Sequence, residues 1–264
     1  MRMRTEVPPG FHPDLLSRIE DAGLNASAPP QQLWLDGWLL RFSPGKAKRA
    51  RCVNAVAAGR MPAREKLVRA EAVYADVGLP LIVRITPFTL PSGLDDLLAG
   101  MGLQRFDDTR VMVLGLDRFA PAGPRPAGVS VQSVGLEAFA QLVGAMRGSP
   151  IAQRQAHAER LANAPVPFCA FELKRDGESL ACGQFAIEGD LVGLYDVFTQ
   201  PEARGQGLAS IVCAHLLDVA QARGARHAYL QVDADNGPAR AVYHRLGFSD
   251  AYRYHYRARD PAAA

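Results

Sequence analysis

Thr199-Gln200-Pro201-Glu202-Ala203-Arg204-Gly205-Gln206-Gly207-Leu208-Ala209 ends one apolar strand-like run and opens a helical one. A glycine-rich turn in that position lets backbone N–H groups approach an anion closely, and the positive end of the following helix dipole adds to their pull. The spacing excludes two common nucleotide sites. No G-x-x-x-x-G-K-[ST] is present, and G-x-G-x-x-G fails because Ser210 occupies the third glycine position. No acidic ribose reader stands about 20 residues on at a strand end, so a dinucleotide dehydrogenase is disfavoured. On the turn alone, a plain strand-to-helix connection stays equally open.

The flanking sequence supplies the context. Upstream, the pattern predicts a strand over 129–134, helices over 136–147 and 151–163, and strands over 166–174, 179–188 and 191–199. Asp176-Gly177 and Gly189-Asp190 are suited to the tight hairpins between those strands. Downstream, Leu208, Ile211, Val212, Leu216 and Val219 form one face of a helix over 207–223, which Gly224 stops. Ala228, Leu230 and Val232 alternate with His227, Tyr229 and Gln231, the period of a half-buried strand. Pro238 opens a last helix ending at Gly247, with Asn236 or Asp235 as its cap, before a strand over 250–257.

The first half repeats the tail of this plan. A helix over 63–77 stops at Gly78, a strand runs through 81–85, and a short helix over 94–101 stops at Gly102 before a strand over 110–116. The helix stops pair at offsets of 224 − 78 = 146 and 247 − 102 = 145, which points to tandem duplication of one α/β unit. Ala120-Pro121-Ala122-Gly123-Pro124-Arg125-Pro126-Ala127-Gly128 cannot propagate a helix or a ladder and reads as the linker. The expected domains are residues 1–125 and 126–264.

Length, 264 residues, admits that division, and 48% hydrophobic with 22% charged residues is the composition of a soluble globular protein. Thirty Lys and Arg against 27 Asp and Glu leave +3, too little for a general nucleic-acid surface but compatible with a local anion site. Cys52, Cys169, Cys182 and Cys213 lack metal-ligand spacing and read as reduced, mostly buried thiols. No metal is expected. The N-terminus has no apolar signal core and no run of about 18 apolar residues occurs, so a cytoplasmic protein without membrane contact is expected, a monomer or homodimer.

Two motifs then resemble the GNAT superfamily of acyl-CoA dependent N-acyltransferases. Arg204-Gly205-Gln206-Gly207-Leu208-Ala209 is similar to its pyrophosphate signature, R/Q-x-x-G-x-G/A. Asn236-Gly-Pro-Ala239-Arg-Ala-Val-Tyr243-His-Arg-Leu-Gly247-Phe248 is similar to the second signature, N-x-x-A-x-x-x-Y-x-x-x-G-F, in the right order. The resemblance covers about residues 126–257 closely. The first half resembles the degenerate member of a tandem GNAT arrangement, its Asp36–Phe42 segment looking like the hairpin of such halves. It lacks the phosphate signature around Ala58–Glu65, and Leu98 stands in the place of Tyr243 (243 − 145 = 98). It should be a catalytically silent scaffold. The implied fold is α/β, with tandem units each built on a mixed, mostly antiparallel sheet flanked by helices.

The implied activity is direct transfer of an acetyl group from acetyl-CoA to a primary amine, most simply a small-molecule amine. Alternatives are a longer acyl-CoA donor or a non-catalytic acyl-CoA sensing module. The resemblance carries cofactor contacts onto Val197, Phe198, Thr199, Arg204, Gly205, Gln206, Gly207, Leu208, Ala209, Ser210, Asn236, Ala239 and Tyr243. Tyr243 would protonate the departing thiolate, since a phenol of pKa about 10 can donate to a thiolate whose conjugate acid lies near 8.5. Asp196 is the candidate general base, with Glu172, Glu188 or a water chain as substitutes. His157, His215, His227, His244 and His255 lack a metal-ligand pattern and are read as solvent or packing groups. Arg41, Lys46, Lys48, Arg49 and Arg51 read as a solvated hairpin edge, with contact to an acidic substrate or to phosphates as the alternative. Tyr252, Tyr254 and Tyr256 read as sheet packing.

Overall fold

The computed structural model describes residues 11–43, 47–120 and 125–264. The N-terminal segment, Lys46 and the centre of the expected linker, residues 121–124, lie outside the described residues. In chain order the first half comprises α1 (Pro13–Ala26), β1 (Gln31–Leu35), β2 (Trp38–Phe42), β3 (Val53–Asn54), α2 (Ala63–Asp76), β4 (Val83–Ile85), α3 (Leu94–Gly100) and β5 (Gln104–Gly115). The second half comprises β6 (Val129–Val134), α4 (Leu136–Met146), α5 (Ile151–Ala162), β7 (Phe168–Arg175), β8 (Glu178–Glu188), β9 (Leu191–Thr199), α6 (Leu208–Ala222), β10 (His227–Asp233), α7 (Gly237–Arg245) and β11 (Ser249–Ala258). The expected mixed, mostly antiparallel sheet flanked by helices is present. The strand expected at 110–116 starts six residues earlier, at Gln104, and α1 was not read from the sequence.

Among the described residues, eleven strands join one sheet in the order β1-β2-β3-β4-β11-β5-β10-β9-β8-β7-β6. Within it, β3–β4 and β9–β10 pair in parallel and the other neighbours antiparallel. The order carries an exchange between halves. The last strand of the first half, β5, inserts between β10 and β11, while the last strand of the second half, β11, inserts between β4 and β5. Equivalent elements start at nearly one offset, 208 − 63 = 145 for α6 against α2, 227 − 83 = 144 for β10 against β4, 237 − 94 = 143 for α7 against α3 and 249 − 104 = 145 for β11 against β5. The two halves interlock through the β11–β5 pair.

Side-chain alternation on β5 ties the layers together. Met112 and Leu114 enter a core with Leu208, Val212, Leu216 and Ala220 of α6, whereas Val111 and Val113 face α1 and its Leu16 and Ile19. Full burial of each such leucine or valine contributes about 1.5–3 kcal/mol. On the α1 side, Glu20 is paired with Arg84 and accepts a hydrogen bond from the Tyr252 hydroxyl at 2.8 Å. Burial alone would raise the Glu20 pKa, but the Arg84 guanidinium outweighs it and holds the carboxyl below its ordinary value. Tyr252, Tyr254 and Tyr256 are all buried in this layer, as packing requires.

Candidate active site

The parallel contact of β9 with β10 is brief. Leu191, Val192 and Gly193 pair with His227, Ala228 and Tyr229, after which the strands separate. The divergence coincides with an irregularity in β9, where the register to β8 shifts between Cys182 and Gln184 opposite Tyr195–Phe198 and Asp196 takes φ +51°. An extra residue there bends the strand away from its neighbour. The result is a cleft of about 310 Å³ bounded by Leu194, Tyr195, Asp196 and Val197 on one strand and Leu230–Asp233 on the other. Backbone groups along the separated edges have no ladder partner across the gap, which leaves them for an extended amide-bearing ligand.

The turn that decided the sequence reading lies past the open end of β9. Gly205 and Gly207 both take φ +77°, and a Cβ at either would meet nothing within 4 Å, so backbone conformation and not crowding requires glycine. Gly207 caps α6, whose first intrahelical bond runs from Ile211 N–H to the Gly207 carbonyl at 3.2 Å. The N–H groups of Leu208, Ala209 and Ser210 precede that bond and point out of the helix end. Arg204 donates to the Thr199 carbonyl at 3.3 Å and lies over the Phe198 ring at 5.7 Å, and Arg175 donates to Gln206. Thr199 Oγ1 is buried without a partner at the same strand end. Outward N–H groups, two arginines, open space and an orphaned hydroxyl together fit a pyrophosphate.

Across the gap, Asn236 caps α7 by accepting from Ala239 N–H at 3.2 Å. This places Tyr243, two turns along, in the cleft wall with Asn236 and Ala239. The Tyr243 ring meets Phe248 edge-on at 6.0 Å. Burial raises its pKa well above that of a free phenol, so the hydroxyl stays protonated. Of the expected site residues, Asp196, Val197, Asn236, Ala239 and Tyr243 line this cleft, whereas Phe198 and Thr199 at the end of β9 and Arg204–Ser210 past it lie outside its lining.

Asp196 lies where this cleft meets a second cavity of about 370 Å³ between α5 and the segment around Ala47–Ala50. Arg147 contacts its carboxylate at 2.8 Å, Gln184 donates at 2.7 Å and His157 Nε2 lies at 3.4 Å. Burial would raise its pKa, but the His157 and Arg147 contacts outweigh it and hold the group firmly ionised. A carboxylate so stabilised is a weak proton acceptor. Of the substitutes, Glu172 is bonded to Gln132, Ser179 and Lys174, and Glu188 accepts from Asn25; neither lines either cavity.

One reading of the sequence needs correction and one needs extending. His157 packs its ring edge-on against Phe139, as a packing role requires, and also lines the second cavity beside Asp196. The basic run is not a solvated edge. Arg41 is 3% exposed and donates to the Leu24 carbonyl at 2.9 Å, Lys48 pairs with Asp107, and Arg49 lines the cleft. The second cavity is closed over His157 by Ala28–Pro30 and by Ser43, Ala47 and Ala50, segments more than 100 residues away in sequence.

The first half treats the equivalent turn differently. The Asp36 carboxylate accepts from Arg60 N–H at 3.0 and 2.9 Å and from Met61 N–H at 2.7 Å, next to the start of α2. Lys66, fully buried, contacts the same carboxylate at 3.0 Å and lies over the Trp38 ring at 5.1 Å. An internal anion thus occupies the N–H groups that match Gly205 and Gln206 at the offset of 145.

Residues 16–257 match the family described as "Probable histone acetyltransferase Rv0428c C-terminal". "Uncharacterized N-acetyltransferase YobR" of Bacillus subtilis is 30% identical over 231 residues, spanning 83% of this chain and 89% of its own. A ribosomal protein bS18-alanine N-acetyltransferase of Escherichia coli is 32% identical over 81 residues, 31% of this chain and 55% of its own. Among solved structures, a GCN5-related N-acetyltransferase from Kribbella flavida superposes with a TM-score of 0.68 at 19% identity, covering 93% of this chain and 95% of that one. A tandem GNAT protein from the clavulanic acid biosynthesis pathway gives 0.62 at 19%, covering 75% and 70%. The fold and the two signatures define an acetyltransferase of the GNAT class. The chain belongs to the Rv0428c C-terminal acetyltransferase family.

Proposed function

We propose that this enzyme transfers an acetyl group from acetyl-CoA to a primary amine by direct transfer, in the cleft between β9 and β10. The observation that carries the reading is the separation of those strands between the outward N–H groups of α6 and the hydroxyl of Tyr243. Gly205–Ser210 and Arg204 would hold the pyrophosphate, and the free edges of Val197–Thr199 would hold the amide-bearing arm. When bound, acetyl-CoA supplies the acetyl group as a thioester. Backbone N–H groups of the bulged β9 are suited to the acetyl carbonyl oxygen as negative charge gathers on it. His157 takes the proton from the attacking amine, and Asp196 is a positioning residue that holds the imidazole and balances its charge. Tyr243 donates its phenolic proton to the departing sulfur.

The donor-binding site is assigned to residues 126–264, with residues 1–125 as a non-catalytic half whose anion position Asp36 fills. Relatives are named for acceptors as different as a ribosomal-protein alanine and streptothricin, so their names leave small-molecule and protein amines both open here. Among the described residues no helix is long and apolar enough to cross a membrane, and no cluster of three or more His, Cys, Asp or Glu could hold a metal ion. Calorimetric titration with acetyl-CoA followed by a thiol-release assay tests the reading. Binding followed by amine-dependent thiol release is expected, with Tyr243→Phe slowing turnover at little cost in donor affinity; no binding at millimolar acetyl-CoA would overturn it.

A further inference from the structure

The acceptor side of the site carries more positive charge than the described residues balance. Arg49, Arg147 and Arg160 line the cleft against two carboxylates, Asp196 and Asp233, and Asp233 lies on β10, where its carboxylate accepts from Asp235 N–H at 2.8 Å. Asp196 is taken by Arg147 at 2.8 Å. Arg160 donates to the Ala26 carbonyl at 3.2 Å and lies over the Phe168 ring at 5.9 Å, without a carboxylate partner among the described residues. Burial pushes its pKa below the ordinary guanidinium value. Arg49 has Nη1 enclosed with no hydrogen-bond partner, and among the described residues no carboxylate forms an ion pair with it. Glu159 borders the second cavity only at its exposed outer rim, and Glu20 is committed to Arg84.

An enclosed guanidinium without an anion costs free energy, because lost hydration is not replaced. The missing anion is not the donor's pyrophosphate. That group belongs at Gly205–Ser210 beyond Thr199, whereas Arg49 sits among the phenols of Tyr195, Tyr254 and Tyr256, at the closed end where β9 and β10 still touch. The closed end is where the thioester and the incoming amine meet under the reading above.

We propose that the acceptor is a primary amine that also carries a carboxylate, which Arg49 and Arg160 bind while the amine faces His157 and Asp196. The inference rests on the transferase reading and adds a substrate class to it. The amine nitrogen bonds to the acetyl carbon as the carbon–sulfur bond breaks. The amine proton passes to His157 and the sulfur takes the proton of Tyr243. Guanidinium groups favour carboxylates through paired, charge-assisted hydrogen bonds, and the same charges repel a lysine-rich peptide.

The test uses the full chain with acetyl-CoA and thiol release. Probes are glycine, β-alanine, γ-aminobutyrate and glutamate, each beside its carboxamide, together with a lysine-rich peptide. At least one carboxylate-bearing amine is expected to exceed its carboxamide by about tenfold or more in kcat/KM. Arg49→Gln should collapse that ratio and Arg49→Lys should restore part of it. Equal use of carboxamides, preference for the lysine-rich peptide, or turnover of no carboxylate-bearing probe overturns the inference. So does an undiminished ratio in Arg49→Gln. Should that variant fail to fold, the wild-type ratio decides. Failure to bind acetyl-CoA would instead remove the transferase reading, so the two failures are distinguishable.

Discussion

His157 Nε2 on α5 lies 3.4 Å from Asp196 Oδ2 on the bulge of β9, joining the acceptor cavity to the strand that bounds the donor cleft. Removing the imidazole with His157→Gln should lower kcat by about 100-fold or more, the scale of positioned general-base catalysis, while acetyl-CoA affinity changes little. Asp196→Asn should give a smaller loss and alter the pH profile of kcat/KM, because it acts through the imidazole. Unchanged turnover in His157→Gln on a verified amine would place the base elsewhere.

Asp36 offers a pH-dependent test of the silent half. Two backbone N–H groups, Arg60 and Met61, and then the Lys66 ammonium depress its pKa to about 2. A depressed carboxylate contributes stability that is fully present above its unfolded pKa of about 3.9 and is lost as pH falls through the folded value. Asp36→Asn keeps a residue suited to the left-handed turn before Gly37 and removes only the charge. Its urea midpoint should fall below wild type at pH 7, and the gap should close between about pH 4 and pH 2. A gap independent of pH would mean that the carboxylate does not hold the turn.

The exchange of β5 and β11 makes the two halves interdependent. Residues 126–264 alone would leave β10 without β5 at its edge and β11 without either neighbour, exposing Leu230, Val232 and the buried face of Tyr254. An unpaired apolar edge favours aggregation. Expressed alone, that fragment should be insoluble or lack a cooperative thermal transition, and adding residues 11–120 as a separate chain should restore one. A stable monomeric fragment with native donor affinity would show the interlock to be dispensable.

Much of this was legible in the sequence, for reasons that differ by residue. Gly205 and Gly207 lie within one strand-turn-helix and Asn236 and Tyr243 within the next, each pair at a fixed local spacing, so their arrangement could be read locally. The offset of 145 was readable because Gly102 and Gly247 stop equivalent helices. The exchange was not, since which neighbour β11 pairs with depends on contacts more than 130 residues away, such as Tyr256 with Phe106. The cavity positions of Arg49 and His157 are not legible, because each looks solvated on its own element and both cavity walls must be present before either is enclosed. The helix α1 was legible in principle from His12-Pro13 followed by Leu16, Ile19 and Gly23 at helical spacing.

Gly193 closes the inner end of the cleft, and its missing side chain sets how the strands part. A Cβ there would meet Tyr229 Cζ at 2.6 Å and Tyr195 Cε2 at 2.7 Å, while those two tyrosines share a hydroxyl hydrogen bond of 2.7 Å. Neither ring can swing aside freely, because Tyr229 is 2% exposed in the α1 core and Tyr195 packs on Phe168. Gly193→Ala must therefore part β9 from β10 at their last paired position or break the tyrosine pair. Overpacking of this kind costs about 1–3 kcal/mol. The melting temperature should fall by several degrees, at about 2–4 °C per kcal/mol for a chain of this size. Turnover should fall further than stability alone explains, because a shift of about 1 Å at the reacting end can cost about 100-fold. Gly100→Ala in α3 is the control, since its Cβ would meet nothing within 4 Å and helical alanine is favoured. If both variants melt and turn over alike, the packing of Gly193 against the tyrosine pair does not govern the cleft.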